Sequence, residues 1–245
     1  MHPSLTPLRA WRHVIALVMA AGAAQAQIEP AARELADSVQ TTLAAAKSIK
    51  LTARHKLDPA LGVGSKLEDG EIIFTIERPN RFHAVQPAER ETREILYDGA
   101  TFVMMYPELK HHAIEEIPAK SITQFADAID ERFGFRPPLA ELLAEDFATQ
   151  IFRDVTSAKL MERETLGSKT CDRLHFVQPG LTGDLWVNVE DHLPVRYLLT
   201  FTSLDANPTW EINLTDWILN APVDATLFTK RPAADSIKVE MGKSE

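Results

Sequence analysis

"INLTDWILNAPVDATLF", residues 212–228, opens in strand rhythm: apolar Ile212 and Leu214 alternate with polar Asn213 and Thr215 before the run continues through Trp217 to Phe228. A strand with so apolar a face needs a layer to cover it, and the residues before it show what it belongs to. "PVRYLLTFTS" (194–203) puts Val195, Tyr197, Leu199 and Phe201 on one side, and "TWEINLTDW" (209–217) follows after a short break. Two alternating strands joined by a short loop pair antiparallel. The same pattern extends back through "DLWVNVE", "TCDRLHFV" and "SAKLMERETL". Strands that follow one another this closely form a meander, not a βαβ array.

The first half of the chain repeats the pattern. "SIKLTARHKL" sets Ile49, Leu51, Ala53, His55 and Leu57 on one face and Lys50, Thr52, Arg54 and Lys56 on the other, so one side is wet. "EIIFTIER" does likewise with Ile72, Phe74 and Ile76, and "RFHAV", "TREILY" and "TFVMMY" follow. Asp69-Gly70 and Asp98-Gly99 are expected to make tight hairpin turns, since both central positions of a type I′ turn need positive φ.

Three segments read as helix. Ile28, Ala32, Leu35, Val39, Leu43 and Ala46 recur at steps of three and four behind Pro30, an amphipathic helix that must pack on something. Ser121 is a good N-cap for a stripe of Ile122, Phe125, Ala126, Ile129 and Phe133 that Gly134 ends. Pro137 and Pro138 are expected to open a further helix, "PLAELLAEDFA". No repeat or Pro- or Gly-rich linker divides the chain, so residues 27–245 are expected to form one domain, mainly β with helices (α+β).

About ten strands at a spacing of about 4.8 Å make a sheet roughly 50 Å wide, and a helix covers only about 10 Å of it. The sheet must therefore curl. Its inner face, carrying Ile72, Phe74, Ile76, Val195, Tyr197, Leu199, Phe201, Ile212 and Leu214, either closes on itself or leaves an apolar trough for a ligand. Any one of these side chains taken alone reads as plain core.

Residues 1–26 look like a secretory signal. Arg9, Arg12 and His13 precede the short apolar run "VIALVMAAGAA" and the small-residue site Ala24-Gln25-Ala26, and the expected product is exported, soluble and periplasmic. The only cysteine is Cys171, so neither a lipidated N-terminal Cys nor an internal disulfide is expected; it reads as a free, packed thiol. The net charge of −9 argues against nucleic acid as a partner. His111, His112, Glu115 and Glu116 form the densest metal-capable group, but neighbouring side chains on a strand point to opposite faces, so no metal is expected. No G-x-S-x-G, phosphate loop, H-E-x-x-H or C-x-x-C is present, and neither a cofactor nor an enzyme is expected.

"FTIERPNRFHAVQPAE", then "LYDGATFVMMYPE", then "NAPVDATLFTKRPAADSIKVE" together resemble the periplasmic lipoprotein carrier and receptor superfamily (LolA/LolB-like), with its strand-Arg-Pro-Asn-x-Phe, Asp-Gly hairpin and Pro-x-Asp-x-x-x-Phe elements in the same order. The middle of the chain looks more like an uncharacterised branch of predicted periplasmic proteins sharing that fold. The resemblance implies a curled antiparallel half-barrel with a helical lid over a hydrophobic cavity that takes acyl chains. It also implies that Arg78 is a candidate latch between barrel and lid. Lys230-Arg231-Pro232 stands where the carriers have an apolar residue and paired prolines, a departure that points away from a true lipoprotein shuttle.

The expected function is binding of a hydrophobic ligand, a lipid or lipoprotein acyl chain, as an envelope lipid carrier. Two alternatives are a sensor of the same fold that acts through a lipoprotein or membrane-bound partner protein, and an unrecognised hydrolase.

Overall fold

Thirteen strands join into one sheet in the computed structural model, which describes residues 26–61, 69–87, 91–134, 136–137 and 139–241. The expected signal segment, residues 1–26, lies outside them except for Ala26. In chain order the elements are β1 (Gln27–Ile28), α1 (Pro30–Ala45), β2 (Ser48–Leu57), β3 (Asp69–Glu77), β4 (Arg81–Gln86), β5 (Arg93–Tyr97), β6 (Thr101–Tyr106), β7 (His111–Glu116), α2 (Ile122–Phe133), α3 (Ala140–Leu143), α4 (Phe147–Gln150), β8 (Ser157–Leu166), β9 (Lys169–Gln178), β10 (Leu181–Asn188), β11 (Pro194–Thr200), β12 (Thr209–Leu219) and β13 (Ile237–Lys238). Across the sheet they run β1-β8-β9-β10-β11-β12-β2-β3-β4-β5-β6-β7-β13. Two meanders meet where β12 pairs with β2, and only the two-residue strands β1 and β13, at the edges, pair in parallel.

The register aligns the apolar sides of the strands. Leu51, Phe74, Ala84, Ile95, Met104 and Ala113 form one row of paired residues from β2 to β7. Leu160, Leu174, Leu185, Tyr197, Ile212 and His55 form another from β8 to β2. A slip of one residue at any pairing would turn a whole strand's apolar set outward, so the pattern itself fixes the register.

Helices cover this inner face. α1 starts at Pro30 and buries Ala32, Leu35, Ala36, Val39 and Leu43 against α4, β8 and β9. Full burial of Val39 and Leu43 contributes about 1.5–3 kcal/mol each. In α2, Ser121 Oγ accepts from the Gln124 N–H at 3.1 Å, and Gly134 ends the helix at φ +70. Its Phe125, Ile129 and Phe133 pack with Tyr97, Phe102 and Ile117 in a second cluster.

Four expectations need correction. Asp69-Gly70 is not a turn: both residues are strand, opposite Lys56 and His55, and an added Cβ on Gly70 would come within 3.0 Å of His55 Nε2. Close approach, not positive φ, explains that glycine. Asp98-Gly99 does form a hairpin loop, with Asp98 Oδ1 accepting from the N–H groups of Ala100 and Thr101 and Gly99 at φ +103, but the loop is longer than the two-residue type. The helix expected from Pro138 is instead two single turns, α3 and α4, because Leu139 is left-handed at φ +61 and Ala144 is extended. Val195 does not extend the inner row: Trp186 pairs with Arg196 and Val187 with Pro194, so Val195 is the extra residue of a β-bulge.

The stretch "INLTDWILNAPVDATLF" serves both faces of the sheet. Ile212 and Leu214 lie in the inner core, but the chain turns at Asn220 and crosses the outer face. There Asp224 caps a 3-10 turn, Ala225–Phe228, and Phe228 is fully buried against β4 and β5 with the Arg81 guanidinium 5.2 Å above its ring. This tail continues to β13, which closes the β7 edge through Ile237 N–H to Lys110 O at 2.7 Å.

Candidate functional site

The helices leave one end of the inner face uncovered. A cavity of about 570 Å³ lies there, floored by Ile72, Phe74, Ala84, Ile95 and Met104 with Phe82 and Phe102 beside them. Its walls are Leu57 at the end of β2, Leu61 beyond it, Trp210 at the start of β12, and Phe201 and Leu204 in the β11–β12 loop. Arg136 and Pro137, from the link between α2 and α3, form its cover. The volume falls within the 300–1,000 Å³ typical of small-molecule sites. Two other hollows, of about 450 Å³ each, lie by Ile117 and by β1 and are rimmed by charged residues.

Four polar heads reach this apolar lining: His55, Gln86, Arg93 and Arg136. Gln86 and Arg93 are paired neighbours on β4 and β5, and Arg93 Nη2 donates to Gln86 Oε1 at 2.5 Å. Arg136 is held by Asp127 at 2.7 Å and Glu141 at 2.8 Å, with its Nη2 buried and without a hydrogen-bond partner. The Trp210 indole N–H is also buried and without a partner.

Of the expected inner-face residues, Ile72, Phe74 and Phe201 line the cavity. Ile76, Ile212 and Leu214 are buried in the core beneath the helices, and Tyr197 and Leu199 pack against it half-buried. Burial pushes the Tyr197 hydroxyl well above its usual range, with the Glu141 charge adding to the effect, so the phenol stays neutral. Trp210, Gln86 and Arg93 were not singled out in the sequence, although the alternation placed them: each lies two residues from an inward-facing neighbour, Ile212, Ala84 and Ile95. Arg136 had no such signal, since it lies in a link without periodicity.

Arg78, at the end of β3, is 90 % buried, and its Nη1 lies 3.6 Å from Glu145 Oε2 in the α3–α4 link. Burial lowers its pKa, and the Glu145 charge opposes that. The pair therefore joins the sheet to the helical layer. Cys171 is a free, fully buried thiol on β9. Among the described residues no group of three or more His, Cys, Asp or Glu converges to hold a metal ion; His112 Nδ1 instead lies 2.9 Å from Ser236 Oγ in the tail.

Residues 32–242 match the model of a family described as "Predicted periplasmic protein (DUF2092)". The chain belongs to that family. No curated protein sequence matches this DUF2092 member. Among solved structures, the Mycobacterium tuberculosis lipoprotein LppX is similar to it with a TM-score of 0.50 at 12% identity, over 80% of this chain and 99% of LppX. LprF from Mycobacterium bovis gives 0.47 at 14% identity over 84% and 99%, and the Pseudomonas aeruginosa MucA/MucB complex gives 0.48 at 12% over 85% and 63%. The likeness to LppX shows a shared fold, a mostly β open sheet with a few helices. These comparisons name DUF2092 and LppX, not the LolA/LolB carriers that the sequence resembles. No helix among the described residues is long and apolar enough to cross a membrane.

Proposed function

We propose that this protein is exported to the periplasm and there binds one hydrophobic chain, from a lipid or a lipoprotein, in the cavity on the inner face of its sheet. The observation that carries this reading is the 570 Å³ space over Ile72, Phe74 and Ile95, which the helical layer leaves unfilled although its lining is almost wholly apolar. A protein interior ordinarily packs such side chains against one another. Each acyl methylene buried there gains about 0.8 kcal/mol, so a dozen carbons offer on the order of 10 kcal/mol before ordering costs. The family's description as periplasmic, and the Arg9-to-Ala26 signal pattern, support the location. A binding role is favoured over hydrolysis because the polar heads of the described lining are two arginines, a glutamine and a histidine, a set suited to holding charge.

Delipidated protein titrated with a fluorescent fatty-acid probe should bind it. Phe74→Asp should abolish binding and leave a folded protein with a moderate loss of stability, because a carboxylate facing an open cavity stays partly hydrated. No binding by the wild type would overturn the proposal. Outright unfolding of Phe74→Asp would mean a closed, dry core.

A further inference from the structure

We infer that the ligand of this cavity is an anionic single-chain amphiphile, its apolar chain over Phe74 and Ile95 and its acidic head held by Arg93, Arg136 and the Trp210 indole N–H. The inference rests on the binding role proposed above and adds the head-group chemistry and the number of chains.

The charge of the lining runs against that of the molecule. The chain carries a net charge of −9, yet among the described residues that line the cavity there is no aspartate or glutamate and there are two arginines. An arginine on the inner face of a strand is costly beside apolar neighbours unless something accepts its hydrogen bonds. Among the described residues Arg93 bonds only to the neutral Gln86 carbonyl oxygen, which orients the guanidinium without offsetting its charge. Arg136 does have carboxylates beside it, but only Nη1 donates a hydrogen bond, to Asp127, while Glu141 lies 2.8 Å from Nε without one, and the buried Nη2 is left open. The buried Trp210 N–H adds a third unused donor to the same lining. Three donor groups around one apolar space call for an acceptor with several lone pairs and a negative charge. A carboxylate or a phosphate monoester has that chemistry, and charge-assisted bonds to it are the strong ones.

The volume sets the chain number. At about 30 Å³ for each water-sized group, 570 Å³ holds one long acyl chain and not two.

The test uses ligands that share a chain and differ in the head. Oleate and oleyl alcohol are titrated into the delipidated full-length mature protein by calorimetry, beside lysophosphatidic acid and two-chain phosphatidylglycerol. Oleate or lysophosphatidic acid should bind at least about tenfold more tightly than the alcohol, the size expected of a hydrogen bond to a charged group. Whichever of the two binds more tightly identifies the head as carboxylate or phosphate. Arg93→Gln should narrow that preference, read as the ratio of the acid's affinity to the alcohol's within the same variant. Equal binding of oleate, lysophosphatidic acid and the alcohol would overturn this inference and leave the apolar-cavity reading standing, as would tight binding of phosphatidylglycerol alone. Failure of every ligand, the alcohol included, would overturn both.

Discussion

Arg78 Nη1 and Glu145 Oε2 face each other at 3.6 Å, and neither atom has a hydrogen-bond partner. An ion pair in this state gains Coulomb energy without the bonds that would offset its desolvation. Glu145→Gln removes the one carboxylate paired with this 90 % buried guanidinium among the described residues and should cost about 2 kcal/mol in urea denaturation; Glu145 keeps 30% exposure, so the loss is smaller than for a fully buried pair. Arg78→Met removes the charge as well and should be neutral or stabilising. If the pair also latches the helical layer, Arg78→Met should speed entry of the fluorescent probe. An Arg78→Met protein as unstable as Glu145→Gln would show that the ion pair itself, not its desolvation, governs stability here.

Cys171 is fully buried on β9, and burial pushes its thiol above the usual range, so little nucleophilic thiolate forms in the native protein. An aromatic disulfide reagent should find no reactive thiol at neutral pH in buffer and one per chain in urea. The melting temperature should be the same with and without reductant. Rapid labelling of the native protein would contradict the packing.

Gly183 pairs with Phe176 across β9 and β10, and a Cβ added to it would meet Phe176 Cζ at 2.1 Å. The ring lies over the glycine, filling the space that a side chain would take, and it is itself buried in the inner core. Gly183→Ala should therefore lower stability by about 1–3 kcal/mol through overpacking. Combining it with Phe176→Leu should recover part of that loss by thermal melting. An additive double mutant would mean the two positions do not share the space.

The alternation that places Ile72, Phe74, Ile212 and Leu214 on one face is legible from the sequence because a strand has period two and one wet side. So are the ends of α2, which Ser121 and Gly134 mark by their own chemistry. Local pattern fails where the outcome depends on a distant partner. Gly70 is a glycine because His55 comes close, Val195 bulges because β10 and β11 are offset, and Phe228 leaves the face of Ile212 because the chain turns at Asn220. The position of the cavity was hidden for the same reason. The row from Leu51 to Ala113 is apolar throughout, and only the landing of α2, α3 and α4 decides which part of it stays open.

Glu94 ties the tail to the outer face of the sheet. Its Oε1 lies 2.8 Å from His83 Nε2 and its Oε2 accepts from Lys230 Nζ at 2.5 Å, although Glu94 and Lys230 are 136 residues apart in the chain. Burial opposes the charge on this carboxylate, but the hydrogen bonds from Lys230 and His83 outweigh it and hold its pKa below the ordinary value of 4.5. The native protein thus gives up this proton more readily than the unfolded chain does. The stabilisation is complete above pH 4.5 and is lost as the pH falls through the lower native value. Protonation ends the attraction for Lys230, and the tail from Lys230 to β13 has few other charged anchors: Lys110 to Asp235 at 2.5 Å, and Arg231 to Asp98 at 4.0 Å. Hydrogen exchange should therefore show residues 229–239 opening in mild acid before the inner core does. Glu94→Gln should open the same segment at neutral pH and flatten the dependence of unfolding free energy on pH below 4.5. If the variant keeps the wild-type slope and a protected tail, Glu94 does not hold the strap.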